Sequence, residues 1–127
     1  VSTYHAFAER IDAIGKKLRS LLEGFRREGK RVVGYGAPAK ATTFCYAFGI
    51  TKDTIEYIVD DAMLKQGRYM PGTHIPIKAP DMLYSDKPDI CLILAWNFAD
   101  SIIKNHQQFI KNSGMFIAPF PEPRIIS

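Results

Sequence analysis

The segment Asp89 to Ala95 (DICLILA) limits what this chain can become more than any other stretch. It is almost wholly apolar and has no alternation of polar and apolar positions. A strand with one wet face alternates, whereas a continuous apolar run of strand length suits a central parallel strand covered on both faces.

The rest of the chain supplies the covering layers. Phe7, Ile11, Ile14, Leu18, Leu21, Leu22 and Phe25 recur at helical spacing and predict a helix from about Tyr4 to Glu28, ended by Gly29. Arg31 to Tyr35 (RVVGY) predicts a short strand. Pro38 opens a second helix, which runs to about Phe48 and stops at Gly49; proline suits a first helical position, where its missing N–H would be unpaired anyway. Thr54 to Val59 (TIEYIV) reads as a second strand, and residues 60–73 as a loop rich in Gly, Pro and Lys. Ile75 to Ile77 predicts a short strand, Ala79 to Tyr84 a short helix, Phe98 to Asn112 a longer one, and Met115 to Ala118 a last strand. Strands alternating with helices predict an α/β protein: a Rossmann-like three-layer α/β/α sandwich with a mainly parallel sheet of about five strands. The 127 residues suit one domain, with helix 4–28 leading into an α/β core at 30–127.

Composition excludes several classes. No apolar run is long enough to span a bilayer, and Glu9, Arg10 and Asp12 break the first apolar stretch, so no secretory signal pattern is present. A cytoplasmic protein with no membrane partner is expected. Cys45 and Cys91 lie in apolar surroundings without a second ligand at metal-binding spacing, and read as buried free thiols. The net charge is +4, much of it in Lys16, Lys17, Arg19, Arg26, Arg27, Lys30 and Arg31. This cluster reads as a solvated helix face; a nucleic-acid surface would need a longer stripe interleaved with aromatics, so no nucleic-acid partner is expected. A modest positive balance also suits a phosphate-bearing ligand. The chain starts at Val1, without methionine and already in a helical pattern, as a piece of a longer protein would.

Four constellations are candidates for function. Gly34-Tyr35-Gly36-Ala37-Pro38-Ala39-Lys40 fits G-x-G-x-x-G/A between a strand and a helix. Such a loop lets a ligand approach the main chain, and the helix start offers N–H groups to an anion. Lys40 in a first helical turn is disfavoured by the helix dipole unless it faces a phosphate. The structural alternative is that Gly34 and Gly36 only permit close packing and that Lys40 points to water. Asp60 and Asp61 follow the second strand. Asp60 lies 21 residues beyond Ala39, near the spacing of about twenty at which an acid bonds ribose hydroxyls in such units; a turn or cap aspartate is the other reading. In the loop from Leu64 to His74, Lys65, Arg68, Tyr69 and His74 are candidates to clamp a polar ligand or a partner domain, although a lone histidine beside a strand is more often structural than catalytic. Trp96 and Asn97 follow the apolar strand, at the end where open α/β sheets bind ligands. Trp96 offers stacking and Asn97 a hydrogen bond; alternatively Asn97, with Asp100 three residues on, is a helix N-cap and Trp96 belongs to the core. No HExxH, Walker lysine with its Ser/Thr, CxxC or G-x-S-x-G occurs, and no nucleophile–base pair can be named. This favours a binding domain over a self-sufficient enzyme.

The stretches GYGAPAK (34–40), VDD (59–61), LKQGRYMPGTHIPI (64–77), PD (88–89), LAWNFAD (94–100) and PFPE (119–122) together resemble the C-terminal domain family of bacterial sugar C-methyltransferases, over nearly the whole chain. The resemblance implies a three-part parent: a zinc-binding part, a central domain that binds S-adenosylmethionine and carries the catalytic histidine, and a Rossmann-like C-terminal domain packed on both. It implies methyl transfer to a carbon of a nucleotide-linked keto sugar, by way of an enolate that attacks the methyl sulfonium. The zinc ligands and the central catalytic motif do not occur here. The resemblance therefore implies no catalytic residue, metal or cofactor in this domain, with zinc and S-adenosylmethionine held elsewhere in the parent. A nucleotide-linked sugar and the S-adenosylmethionine-binding domain of the same parent are the implied partners. Ala41-Thr42 and Ala62-Met63 depart from the family pattern and leave the acceptor open. Two other functions stand beside this one: a nicotinamide dinucleotide-binding domain of an oxidoreductase, and an interaction module docking through an exposed aromatic, Pro-rich end, Phe116 to Pro123.

Overall fold

The computed structural model of the chain describes residues 2–38, 41–119 and 123–127, with side chains for all of these except 2–8, 10, 11, 43 and 44. Among them, six strands form one sheet: β1 (Val32–Tyr35), β2 (Ile58–Val59), β3 (Ile77–Lys78), β4 (Ile90–Ile93), β5 (Met115–Ala118) and β6 (Arg124–Ile126). Their order is β3-β2-β1-β4-β5-β6. The first five are parallel, and β6 runs antiparallel to β5. The apolar run at 89–95 lies in β4, between β1 and β5, with every residue of the strand buried.

Alternation along the strands sorts the core into two sides. Val32, Ile58, Leu92, Leu94 and Ile117 face one layer, where Ile14, Leu18 and Leu22 of α1 (Ser2–Arg27) and Cys45 of α2 (Ala41–Ala47) pack. Val33, Tyr35, Val59, Cys91, Ile93 and Phe116 face the other. There they meet Leu83 of α3 (Met82–Ser85), Ile102 of α4 (Ala99–Asn105) and Phe109 of α5 (Gln107–Lys111). Each apolar strand is thus covered twice, and the expected three-layer α/β sandwich follows. Cys45 and Cys91 are both buried free thiols, on opposite sides of the sheet; burial pushes the Cys45 thiol up to about 12 and raises Cys91 further.

Several boundaries differ from the sequence expectation. The strand expected at 54–59 is reduced to Ile58–Val59 because Thr51 to Ile55 is a hydrogen-bonded turn, although Glu56 N–H already reaches Val32 O at 3.0 Å. The strand expected at 75–77 lies at 77–78, since Ile75 and Ile77 also pair backward with Met70 and Arg68. The loop 60–73 is therefore partly a hairpin. The helix expected at 98–112 begins after a single 3-10 turn (Trp96–Phe98) and breaks at His106 (φ −123°, ψ 38°). A sixth strand, β6, was not expected. Phe116 to Pro119 are buried rather than exposed, which removes that part of the exposed aromatic end; residues 120–122 lie outside the described residues. Helices α1 and α2 do stop at the expected glycines. Lys30 N–H bonds Phe25 O at 2.9 Å and Ile50 N–H bonds Cys45 O at 2.8 Å, the six-to-one closure of a Schellman end.

At the amino ends of the strands, Arg31 is the centre of a clasp. Its guanidinium bonds Glu56 Oε2 at 2.9 Å and Asp86 Oδ2 at 2.6 Å, and its backbone N–H donates to Asp89 Oδ2 at 2.8 Å. Tyr57 O–H donates to the same Asp86 oxygen at 2.8 Å. Hydrogen bonds from Arg31 and then Tyr57 hold the Asp86 carboxyl below its usual range. Arg31, grouped by sequence with the solvated cluster, instead ties three segments together. Elsewhere in that cluster, Lys16–Asp12 and Arg27–Glu23 are exposed pairs one helical turn apart.

Candidate functional site

At the opposite, carboxyl end the chain diverges. After β1 it passes to α2 on one side of the sheet; after β4 it passes to α4 on the other. Because β1 and β4 are neighbours, a crevice opens between their ends, at the reversal of strand order where open α/β sheets bind ligands. It has a volume of about 330 Å³ and is lined by Tyr35, Gly36, Pro38, Asp60, Asp61 and Lys65 on one side, with Ala95, Phe98, Ser101, Ile102 and Asn105 opposite. A second cavity of about 610 Å³ adjoins it, sharing Pro38 and Lys65 and adding Ala37, Arg68, Tyr69, Met70, Pro71 and Ile77 among its walls.

The glycine loop is shaped from within. A Cβ on Gly34 would lie 3.1 Å from Leu94 and 3.2 Å from Ile58. Gly36 has φ +92°, and a Cβ there would stand 2.5 Å from that of Ala95. Both positions exclude a side chain because β2 and the end of β4 fill that space. The Ala37 N–H, which the motif would offer to an anion, donates to Asp60 Oδ2 at 2.7 Å. The other Asp60 oxygen accepts from Ala62 N–H at 2.8 Å, and its carbonyl accepts from the Gln66 amide at 2.8 Å. Asp60 thus binds the two loops together at the place of an external anion. Lys65 bridges the same loops, donating from Nζ to Ala37 O at 2.9 Å. Lys40 and Ala39 lie outside the described residues, and so does the expectation that Lys40 faces a phosphate.

Asp61 is exposed and opens on the crevice. The Tyr35 hydroxyl donates to it, at 3.0 and 3.1 Å from its two oxygens. The same hydroxyl stands 2.9 Å from His106 Nε2, and the Tyr84 hydroxyl is 2.7 Å from His106 Nδ1. Burial and then Asp61 push the Tyr35 hydroxyl well above the usual phenol range; burial lowers the basicity of His106, partly offset by Asp61. Neither His106 nor Tyr84 stood out in the sequence. One signal was there: His106 falls on the helix face of Ile102 and Phe109, so a polar ring points inward at a core position.

The structure brings Tyr35, Gly36, Pro38, Asp60, Asp61 and Lys65 to one crevice, and Ala37, Arg68 and Tyr69 to its neighbour. Gly34 is buried in β1. His74, Trp96 and Asn97 line neither cavity. His74 is exposed with φ +58°, at the turn of the hairpin, where its N–H bonds Met70 O at 3.0 Å. Trp96 packs partly against the core on the α1 side. Asn97 is not the N-cap of α4: Phe98 occupies that position without a side-chain cap bond, because the intervening 3-10 turn shifts the helix start. Phe98, 65% exposed, replaces Trp96 as the aromatic wall of the crevice.

A mainly parallel sheet, covered on both faces and open between β1 and β4, defines a Rossmann-like α/β domain. Within that class, residues 1–121 match the C-methyltransferase C-terminal domain, and the chain belongs to this family. It is 43% identical over 124 residues to the C-methyltransferase NovU of Streptomyces niveus, a match covering 98% of this chain. The chain spans 30% of the length of that curated relative. No helix among the described residues is long and apolar enough to cross a membrane, and no group of three or more His, Cys, Asp or Glu side chains among them is placed to hold a metal ion.

Proposed function

We propose that this domain holds a nucleotide-linked keto sugar, or a similar acceptor, for a cytoplasmic S-adenosylmethionine-dependent C-methyltransferase. Methyl donation and zinc binding belong, in this reading, to parts of the parent outside this chain, and the S-adenosylmethionine-binding domain is the partner against which the crevice works. The single observation that carries the reading is the pair of cavities meeting at Lys65 and Pro38. One is lined by carboxylates suited to hydroxyl groups. The other offers Arg68, Tyr69, Met70 and Pro71, an aromatic and apolar wall with a cation, suited to a base. Lys65 stands between them, where a diphosphate joins sugar to nucleoside. The oxidoreductase reading loses its main support, because Asp60 already takes the Ala37 N–H on which a dinucleotide pyrophosphate would rest.

Calorimetric titration with dTDP-glucose, UDP-glucose and NADH tests this. Saturable binding of a nucleotide sugar, weaker binding of NADH, and loss of affinity in Lys65→Ala are expected. No saturable heat with either sugar nucleotide at millimolar concentration, or tighter binding of NADH, overturns the proposal.

A further inference from the structure

We infer that Tyr35, His106 and Tyr84 form a one-directional hydrogen-bond relay that positions Asp61 as the acceptor for a ligand hydroxyl in the crevice. The inference rests on the reading of the crevice as a sugar-nucleotide site. It assigns a role to two residues, His106 and Tyr84, that lie behind the crevice wall.

Proton counting fixes the direction. A carboxylate has no proton to give, so the one hydroxyl proton of Tyr35 goes to Asp61. The Tyr35 oxygen can then only accept from His106, which requires the proton on Nε2 at 2.9 Å. A neutral imidazole with its proton on Nε2 has a bare Nδ1, and this accepts from the Tyr84 hydroxyl at 2.7 Å. Every donor in the chain points toward the crevice. The rings are held as well as bonded: Tyr35 is 3% exposed, and the Tyr84 ring lies nearly parallel to the imidazole, 27° apart with centroids at 5.9 Å. The break between α4 and α5 falls at His106 itself. Burial, which disfavours the imidazolium, agrees with the neutral ring that the proton count uses.

The result is a carboxylate whose place is fixed and whose side chain, among the described residues, accepts only from Tyr35. Two oxygens offer about four lone-pair directions, and Tyr35 engages them with a single proton. Asp60, by contrast, accepts backbone N–H groups on both oxygens. Of the paired acids, Asp61 is therefore the one that reads the ligand, and a hydroxyl donor is what it reads. Tyr35, His106 and Tyr84 are positioning residues.

Two measurements test this on the chain itself. Nitrogen-15 NMR of the histidine rings, with His106→Gln for assignment, is expected to show His106 neutral near pH 7 with the proton on Nε2; a proton on Nδ1 alone overturns the relay whatever the ligand does. Titration with the tighter-binding of dTDP-glucose and UDP-glucose then compares variants of matched thermal stability. Tyr35→Phe and His106→Leu are each expected to weaken binding about three- to tenfold, a part of the worth of the ligand's charge-assisted bond to Asp61. His106→Gln, whose amide can both donate to Tyr35 and accept from Tyr84, is expected to restore most of it. Equal affinity in Tyr35→Phe, His106→Leu and the unaltered chain overturns the inference and leaves the sugar-nucleotide reading standing. Failure of the unaltered chain to bind overturns both.

Discussion

The two ends of the sheet carry similar side chains and use them differently. At the amino end, Arg31 meets Glu56, Asp86 and Asp89, and Tyr57 completes the set. There one guanidinium, one backbone N–H and one phenol are spent on carboxylates of the chain itself. Among the described residues, Asp60, Asp61, Tyr35 and Lys65 at the carboxyl end meet no such arginine. Asp60 and Lys65 spend their bonds on backbone groups of the two loops, while the Asp61 side chain accepts, among those residues, only from Tyr35 and lines the crevice. Polar groups at the amino end serve stability by joining segments, and those at the carboxyl end shape the crevice between β1 and β4.

The largest expected effect comes from damaging the carboxyl end by packing alone. Gly36→Ala forces a side chain onto a backbone at φ +92° and a methyl to within 2.5 Å of the Ala95 Cβ. Strain and overpacking together are expected to cost about 3 kcal/mol or more, read by urea denaturation. A cost near zero would mean that the loop relaxes freely and that the crevice is not rigid. Asp86→Ala ranks next. It leaves the buried Tyr57 hydroxyl without its acceptor and frees one arm of Arg31. The expected loss is about 2 kcal/mol, moderated because Arg31 is 40% and Asp86 29% exposed. Ligand affinity should not change, since the clasp lies at the far end of the strands.

How much of this was legible in the sequence follows the same division. Local rules gave the layers: the apolar run of β4, the helical spacing of α1 and the glycines that end α1 and α2 needed no tertiary knowledge. The glycine motif, Asp60-Asp61 and Lys65 were found because motif and chain direction bring them to the ends of β1 and β2. What sequence did not supply was who bonds to whom. Asp60 was open to two readings, a ribose ligand or a turn aspartate; it accepts Ala62 N–H as a turn aspartate does, and also Ala37 N–H, a pairing between residues far apart in the chain. Arg31 looked like one more solvated cation until Asp86 came beside it. His106 was hidden inside an apparently regular helix because its partners, Tyr35 and Tyr84, come from a strand and from another helix. Asn97 was misplaced by a single 3-10 turn, which periodicity does not resolve.

Lys65→Ala sharpens the comparison from the ligand side. If Lys65 faces a diphosphate, losing its charge-assisted bonds should weaken sugar-nucleotide binding by about 1–2 kcal/mol, measured by calorimetry. The binding loss should shrink as salt rises, because partly exposed charges are screened. Stability should fall less than in Asp86→Ala, since only the bond to Ala37 O is lost from the fold. A variant that is destabilised but binds normally would move Lys65 to the same structural class as Arg31.

The smallest effect separates the two ends by pH. Burial, the larger influence, lowers the basicity of His106 in the fold from its ordinary 6.5, and Asp61 offsets this only in part. Among the described residues, Tyr35 and Tyr84 bond the ring and Asp61 is the charged group that acts on it. The unfolded chain therefore takes up this proton first as pH falls. Stability is full above about 6.5 and declines as pH drops toward the lower folded value. Asp86 has the same sign in another window: Arg31 and Tyr57 lower it from 3.8, so its contribution persists until the medium becomes strongly acidic. Thermal denaturation at about pH 7.5 and about pH 5.5 should thus show a modest loss to which His106 contributes. His106→Gln, which has no titrating ring, should flatten that step and leave the acid limb unchanged. Asp86→Asn should do the reverse. If His106→Gln left the upper step intact, the proton would be entering elsewhere, and the relay would not be the group that senses it.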